Sequence, residues 1–226
     1  EIASCLVGSE MCIRDRHKTA LTDEQVNVLL SFVQIDGVYQ KYYNAIVVLL
    51  HTGLRISELC GLTTSDIDFE KGFIQVNHQI NYDKGKYSIN EPKTDSGIRE
   101  IPMLEPVRKA LMDEIKGRID VQQILIDGYS DFVFLNQKSL PMYAHCYSNA
   151  FSSLIKKYNK YHKGNELPLI TPHTLRHTFC TNMANKKITP NTLQYIMGHK
   201  NITMTLGYYT PVSYTHLRAH ETRGNL

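Results

Sequence analysis

The sequence of 226 residues has no apolar run long enough to cross a lipid bilayer, since the stretch Ile46–Leu50 is far too short. Its five cysteines are irregularly spaced and include no C-x-x-C pair, which excludes a disulfide framework and a paired-cysteine metal site. Neither sign of charge dominates: 25 Lys and Arg face 22 Asp and Glu, and the net charge of +3 permits nucleic acid binding without requiring it. With 42% hydrophobic residues the chain can bury a core, so the composition predicts a soluble, cytoplasmic protein of one domain or two small ones.

The two ends of the chain do not continue the pattern of the residues between them. When Glu1–Arg16 is paired in reverse with Pro211–Leu226, opposite strands of one DNA segment can encode both residues of every pair. The match breaks at His17 and Thr210, because no histidine codon complements a threonine codon. The implied bases resemble a transposase adapter used in DNA sequencing, so residues 1–16 and 211–226 are predicted to be adapter-derived and are set aside. A genuine inverted repeat of a mobile element is the alternative, which adapter-free sequencing of the source locus tests.

Hydrophobic periodicity in residues 17–210 predicts an α+β fold that is mostly helical and contains a small antiparallel three-stranded sheet. The predicted helices cover residues 22–36, 42–50, 56–59, 107–126, 143–161, 172–185 and 190–197. The predicted strands cover residues 73–80, 86–90 and 98–101, with turns at 83–85 and 94–97. We expect one domain over residues 17–210.

The segment around His173 carries groups that could bind an oxyanion. On a helix, His173, Arg176 and His177 fall within an arc of about 100°, and apolar residues such as Leu175 and Phe179 lie opposite. Arginine offers a planar fork of donors that suits phosphate, and histidine adds another donor. Two other interpretations remain open: an ordinary solvated polar face, or a zinc site, which would lack both the glutamate of H-E-x-x-H and a third ligand.

Two further segments place charged groups beside turns. Arg55 opens a short helix after a glycine, and Glu58 lies one turn later, where it can hold the guanidinium group. Lys93 lies at the tip of a predicted hairpin, from which it can reach a ligand lying across the sheet. Taken alone, these residues are equally consistent with a surface ion pair and an exposed turn lysine.

Together with a last segment that holds Gly198, His199, Tyr208 and Tyr209, these motifs resemble the tyrosine recombinase (phage integrase) family. TGLRISELCGL resembles the first arginine box, EPKTDSGIREIP the β-hairpin lysine segment, and TPHTLRHTFCTNM the H-x-x-R-H box. IMGHKNITMTLGYYT resembles the final segment with its G-H pair and nucleophile. The resemblance covers residues 21–210 in the order of the family, and its wording is closest to integrases of conjugative transposons and temperate phages.

The resemblance implies a site that binds the scissile phosphate of DNA. Arg55 and Arg176 would clamp the phosphate, while His173 and His199 would donate hydrogen bonds to its oxygens or assist proton transfer. Glu58 matches the acidic position that supports the first arginine. Preorganised cations of this kind stabilise the charge that spreads over the phosphate oxygens in the transition state, so neither a metal nor a cofactor is expected.

The resemblance also implies the groups that make and break bonds. Tyr209 would be the nucleophile that forms a 3′-phosphotyrosyl link, and Lys93 would protonate the leaving 5′ oxygen. Tyr209 is preferred over Tyr208 because it precedes the threonine, as in the T-Y-[ST]-H ending of the family. His177 matches a position of structural support. A free phenol has a pKa of about 10, so the nucleophile needs the cationic site or a neighbouring base to attack at neutral pH.

The expected function is site-specific recombination on double-stranded DNA by a cytoplasmic, nucleoid-associated homo-oligomer, a tetramer in the intact protein, without a membrane association. Family members usually carry an N-terminal helical domain and a helix after the nucleophile, so this chain is expected to be a fragment with weak DNA affinity. The alternatives are a type IB topoisomerase-like enzyme, a catalytically weak DNA-binding regulator derived from an integrase, and a metal-dependent hydrolase that uses His173 and His177.

Overall fold

A computed structural model describes residues 20–92, 97–116 and 124–209 of the chain. Its helices are α1 Asp23–Ile35, α2 Tyr43–Thr52, α3 Ile56–Gly61, α4 Glu105–Lys116, α5 Ala144–Tyr161, α6 Pro172–Asn185, α7 Pro190–Met197 and α8 Thr203–Leu206. Its strands are β1 Ile67–Asp68, β2 Phe73–Val76, β3 Gln79–Asp83, β4 Lys86–Asn90 and β5 Arg99–Pro102. Lys93 and both terminal segments predicted to be adapter-derived lie outside the described residues.

The order of helices, small sheet and helices confirms the predicted α+β class. Strands β1, β2 and β5 form an antiparallel three-stranded sheet in that order, with Ile74 of β2 opposite Ile101 of β5. Both side chains are buried, because residues directly opposite each other on paired strands point to the same face, and this face covers the core. In the sequence, the strands of this sheet lie between the first and the last helices. In the structure, one face of the sheet covers the core.

The single strand predicted over residues 73–80 is wrong, because the structure divides it into β2 and β3. Strand β3 pairs with β4 as a separate two-stranded hairpin. Between the two strands, the buried ring of His78 lies with Nε2 2.7 Å from the carbonyl oxygen of Gly61. A Cβ atom on Gly61 would lie 2.9 Å from the backbone nitrogen of Ile80, so the end of α3 is in close contact with the start of β3. This contact directs the chain away from the first sheet.

Helix α2 is the centre of the helical layer. It contacts α1, α4 and α6, and almost every side chain from Ala45 to Leu50 is fully buried. A helix that is apolar all round must be covered on all sides. It ends at Gly53, whose φ of 66° lies in the left-handed region that favours glycine. A Cβ atom there would lie 2.4 Å from Cδ1 of Phe179 on α6, so α2 and α6 are packed together at this point.

Helix starts follow the cap residues that the sequence shows. Thr22 caps α1 and Thr171 caps α6, each accepting a hydrogen bond from the third residue of its helix.

The helix predicted over residues 107–126 is too long, since α4 ends at Lys116 within the described range and Ile126 forms a β-bridge with Tyr129. The turn between these two residues has two consecutive positive φ angles, 47° and 89°, which a helix cannot contain. None of the helices in the described ranges is both long and apolar enough to cross a membrane.

Candidate active site

A cleft of about 900 Å³ opens between the start of α3, the β3–β4 hairpin and the residues that follow α7. Its lining mixes apolar residues with polar ones, and the polar ones include Arg55, Glu58, Asn90, His199 and Lys200. The cleft therefore brings together groups from the first arginine segment and the G-H segment, which are more than 140 residues apart in the sequence.

Three arginines from different parts of the fold bind consecutive carbonyl groups at the end of α7. The pairs are Arg99 Nε with Ile196 O at 2.7 Å, Arg176 Nη2 with Met197 O at 2.5 Å, and Arg55 Nη2 with Gly198 O at 2.8 Å. The last carbonyl groups of a helix have no intrahelical partner and carry the negative end of its dipole. The end of α7 therefore holds three cationic side chains beside one another, and we call this set the arginine platform.

Arg55 faces the cleft from the position that precedes α3. Its side chain is 39% exposed, and its Nη1 atom donates to Oε1 of Glu58 at 2.7 Å. The backbone N–H of Arg55 donates to the other oxygen, Oε2, at 2.8 Å. Glu58 thus binds one residue at both its main chain and its side chain, which fixes where the guanidinium group of Arg55 enters the cleft.

Glu58 also binds Arg99, a residue that the sequence reasoning missed. Nη1 and Nη2 of Arg99 donate to the two oxygens of Glu58 at 3.1 and 2.8 Å. Burial disfavours the charged carboxylate, but the hydrogen bonds and charge of Arg99 and the charge of Arg55 outweigh it, so the pKa of Glu58 is lowered. The available signal was strand alternation, since Arg99 falls on the same buried face of β5 as Ile101.

Arg176 is buried rather than solvated. The residue is 7% exposed, and it donates from Nη1 to the carbonyl oxygen of Gly53 as well as from Nη2 to Met197. Burial, and then the positive charge of Arg55, lower its pKa to about 10, so it is cationic at neutral pH. The interpretation of the H-x-x-R-H segment as an ordinary solvated face therefore does not hold for Arg176, because the side chain joins the ends of two helices.

His199 follows the arginine platform and lines the cleft. It is 6% exposed, and its Nδ1 atom lies 3.0 Å from Oγ1 of Thr205. Burial, followed by the charges of Arg176, Arg55 and Arg99, lowers the pKa of His199 to about 4. The imidazole is thus neutral at pH 7, and a neutral ring can donate a hydrogen bond from one of its nitrogens.

The remaining candidate residues lie on α6 and after α8. His173 is exposed in the first turn of α6, and His177 is half-buried, with Nδ1 3.1 Å from the hydroxyl of Tyr208. The hydroxyl of Tyr209 donates to the carbonyl oxygen of Ile188, and burial raises the pKa of the phenol. Of the candidate residues, the structure thus brings Arg55, Arg176, His199 and Glu58 together. It places the Tyr209 hydroxyl elsewhere.

Metal binding finds no support in the part of the chain that the structure describes. In residues 20–92, 97–116 and 124–209, no group of three or more His, Cys, Asp or Glu side chains is arranged to hold a metal ion. Within those ranges, the two histidines of the H-x-x-R-H segment are not part of such a group.

The sequence matches the phage integrase family over residues 19–216. The transposase from transposon Tn916 of Enterococcus faecalis is 48% identical over 209 residues, which are 92% of this chain and 51% of that protein. Tyrosine recombinase XerA of Pyrococcus furiosus is 31% identical over 209 residues, which are 92% of this chain and 62% of that protein. The chain thus spans about half the length of the transposon relatives that it matches. The family match ends within the segment predicted to be adapter-derived, so the boundary at residue 210 stays a prediction.

Solved structures give the same relationship. The Tn1549 transposon integrase in complex with circular intermediate DNA superposes with a TM-score of 0.83 and 53% identity, over 87% of this chain and 64% of that one. A lambda integrase dimer bound to a core site superposes with a TM-score of 0.54 and 19% identity, over 86% of this chain and 60% of that one, a likeness that extends to the fold alone.

Proposed function

Because the chain belongs to the phage integrase family, we propose that it cuts and rejoins double-stranded DNA through a covalent link to Tyr209. The observation that carries the proposal is the arginine platform beside the cleft. Among the described residues, the carboxylate bonded to the platform is that of Glu58, which binds two of the three guanidinium groups, so the platform itself keeps a net positive charge in place before DNA binds, while Glu91 and Asp127 line other parts of the cleft. Charge that is fixed in advance is the main means by which proteins stabilise a phosphoryl transition state.

In the proposed site, Arg55 and Arg176 clamp the scissile phosphate. The guanidinium group of Arg55 is open to the cleft. Arg176 donates to the carbonyl oxygens of Gly53 and Met197, and it thereby joins the ends of α2 and α7 beside Arg55. His199 is neutral and donates to a phosphate oxygen, and His173 assists from the first turn of α6. Removing one donor of this kind costs about 2.7–4 kcal/mol of transition-state stabilisation, or about 100- to 1,000-fold in rate.

The chemical step exchanges one phosphoester bond for another. The phenol of Tyr209 gives its proton to a neighbouring base, its oxygen attacks the phosphorus, the bond from phosphorus to the 5′ oxygen breaks, and Lys93 supplies the proton to that leaving oxygen. The phosphoester energy is kept in the phosphotyrosyl bond, so the reverse attack by a 5′ hydroxyl reseals DNA without ATP. Tyr209 must first leave the carbonyl group of Ile188, to which its hydroxyl donates.

The spacing of two residues in a solved relative supports the assignment of Arg55 and Tyr209. Structures of the Tn1549 integrase carry an arginine-to-lysine and a tyrosine-to-phenylalanine substitution, and these two positions are 154 apart in that protein (379 − 225). Arg55 and Tyr209 are also 154 apart (209 − 55), whereas Tyr208 is not. This agreement favours Tyr209 as the nucleophile.

We further propose that the chain corresponds to the catalytic part of its longer relatives and acts as one protomer of a homo-oligomer on DNA, a tetramer in the intact protein. A solved relative supports the DNA part of this proposal, since the Tn1549 integrase is bound to DNA.

The test is covalent trapping on a nicked duplex. The probe is the transposon right-end DNA present in a Tn1549 integrase complex, with a nick placed so that the cleaved strand diffuses away. The parental chain and Tyr208→Phe should form an adduct that survives denaturing electrophoresis, with or without EDTA. Tyr209→Phe should form none.

Other outcomes identify the competing functions. An adduct that persists in Tyr209→Phe refutes the nucleophile assignment, and cleavage that EDTA abolishes favours a metal-dependent hydrolase. DNA binding by the parental chain without any adduct favours the regulator. Relaxation of supercoiled DNA regardless of its sequence favours a topoisomerase-like enzyme.

A further inference from the structure

We propose that Arg99 is a positioning residue for DNA cleavage, which acts by holding the guanidinium group of Arg55 in place through their shared partner, Glu58. The inference rests on the proposed function, because it concerns the same cleft. Arg99 lies outside the positions to which the family motifs assign a role, and it reaches Glu58 from 41 residues away in the sequence.

Arg55 and Arg99 together occupy the whole carboxylate of Glu58. Oε1 accepts from Nη1 of each arginine, at 2.7 Å for Arg55 and 3.1 Å for Arg99. Oε2 accepts from the backbone N–H of Arg55 and from Nη2 of Arg99, both at 2.8 Å. A carboxylate offers about four acceptor positions, so each is in use. The plane of the Glu58 carboxylate is therefore set as much by Arg99 as by Arg55.

Arg99 is itself held from further directions. Its Nε atom donates to the carbonyl oxygen of Ile196 at 2.7 Å, and Nη1 also donates to that of Gly97 at 3.1 Å. The residue is 2% exposed. A planar guanidinium group whose donors bind separate acceptors is fixed in one orientation. The single ammonium group of a lysine cannot make the same set of hydrogen bonds. Arg99 is thus a rigid brace between the end of α7 and Glu58.

The brace matters because Arg55 is the most exposed member of the arginine platform. Its side chain has two anchors, Glu58 and the carbonyl oxygen of Gly198. If the carboxylate of Glu58 turned, one of these anchors would move and the guanidinium group would shift within the cleft. A displacement of about 1 Å in a group that positions the reacting atoms can slow a reaction about 100-fold.

A double-mutant cycle with Arg99→Lys and Arg55→Lys in the 226-residue chain tests the inference. The rate of adduct formation is measured in a single turnover on saturating nicked transposon-end DNA. In the parental background, Arg99→Lys should slow the reaction by up to about 100-fold, the loss that a displacement of about 1 Å in a positioning group can cause. In the Arg55→Lys background it should slow the reaction by less than about threefold, because the side chain that Arg99 positions is already absent.

Arg108→Lys is the matched control. Arg108 is a partly buried arginine on α4 that donates to the carbonyl oxygen of Phe69, away from the cleft, so its replacement should leave the rate unchanged in both backgrounds. A merely structural role for Arg99 predicts the same slowing with and without Arg55, and that additive result would overturn the inference. Rates are compared at a temperature at which circular dichroism shows every variant to be folded, and Arg99→Gln replaces Arg99→Lys if the latter does not fold.

A second measurement does not depend on cleavage. The side-chain N–H signals of Arg55 in an NMR spectrum are assigned from their loss in Arg55→Lys. Arg99→Lys should shift these signals and speed their exchange with water, whereas Arg108→Lys should leave them unchanged. Unaltered Arg55 signals in the Arg99 variant would overturn the inference whether or not the chain cleaves DNA. Failure of the parental chain to form an adduct would count against the proposed function alone.

Discussion

Replacing Glu58 with glutamine removes the charge that two arginines share while keeping the shape of the side chain. The carboxylate accepts four hydrogen bonds, at 2.7, 2.8, 2.8 and 3.1 Å. An amide nitrogen cannot accept, so two of the four are lost and a donor then faces a donor. Removing one partner of a buried ion pair costs about 3–5 kcal/mol, since the other charge stays buried without compensation. At about 2–4 °C per kcal/mol for a domain of this size, Glu58→Gln should lower the Tm by about 6–20 °C.

Thermal unfolding followed by circular dichroism measures this effect, with Glu70→Gln, an exposed residue on a turn, as the control. Because the pKa of Glu58 is lowered in the folded protein, its contribution to stability is present above the usual glutamate pKa of about 4.3 and is lost as the pH falls through the folded value. The Tm difference between the parental chain and Glu58→Gln should therefore be largest near neutral pH and should narrow in acid. An equal Tm at pH 7, or a difference that widens as the pH is lowered below about 4.3, would refute the reasoning.

Two other features of the site lead to simple tests. The ring signals of His199 should stay constant in an NMR titration from neutral pH until they titrate near pH 4, and a midpoint at or above 6.5 would contradict its burial beside the arginines. Since this histidine pKa is lowered on folding, its neutral form stabilises the protein above about pH 6.5, and that stability is lost as the pH falls toward 4. Gly53→Ala should lower the Tm by several degrees, because overpacking costs about 1–3 kcal/mol and a Cβ atom there would meet Phe179 at a positive φ. Gly37→Ala, which would meet nothing within 4 Å, should leave the Tm nearly unchanged, and equal effects of the two changes would argue against close packing of α2 on α6.

The sequence predicts those parts of the fold whose signals are local. Helices α6 and α7 begin at a threonine cap followed by proline, and both have the bounds that the pattern predicts. The break between β2 and β3 could not be read in the same way, because alternation continues through it and only the contact of His78 with Gly61 ends the first strand. Periodicity reports which face of an element is buried, whereas a contact between distant segments decides where the chain turns.

The same distinction holds for the candidate site. The family resemblance locates Arg55, Arg176 and His199, which the structure then brings to the end of α7 or beside it. It does not locate Arg99, because an arginine on a short strand gives no indication of its partner. Nor could the sequence show that the hydroxyl of Tyr209 donates to the carbonyl oxygen of Ile188. This hydrogen bond depends on how the final turn packs against the connection between α6 and α7.

The three acceptors that the arginine platform binds at the end of α7 belong to the main chain. No exchange of a side chain on α7 deletes these oxygens, so an exposed position such as Asn191 can vary while the charged centre keeps its form. The vulnerable feature is the path of the backbone, which turns at Gly198 with a φ of 59°. A single inserted or deleted residue near this turn would move all three attachment points at once, a far more damaging lesion than most exchanges of side chains along the helix.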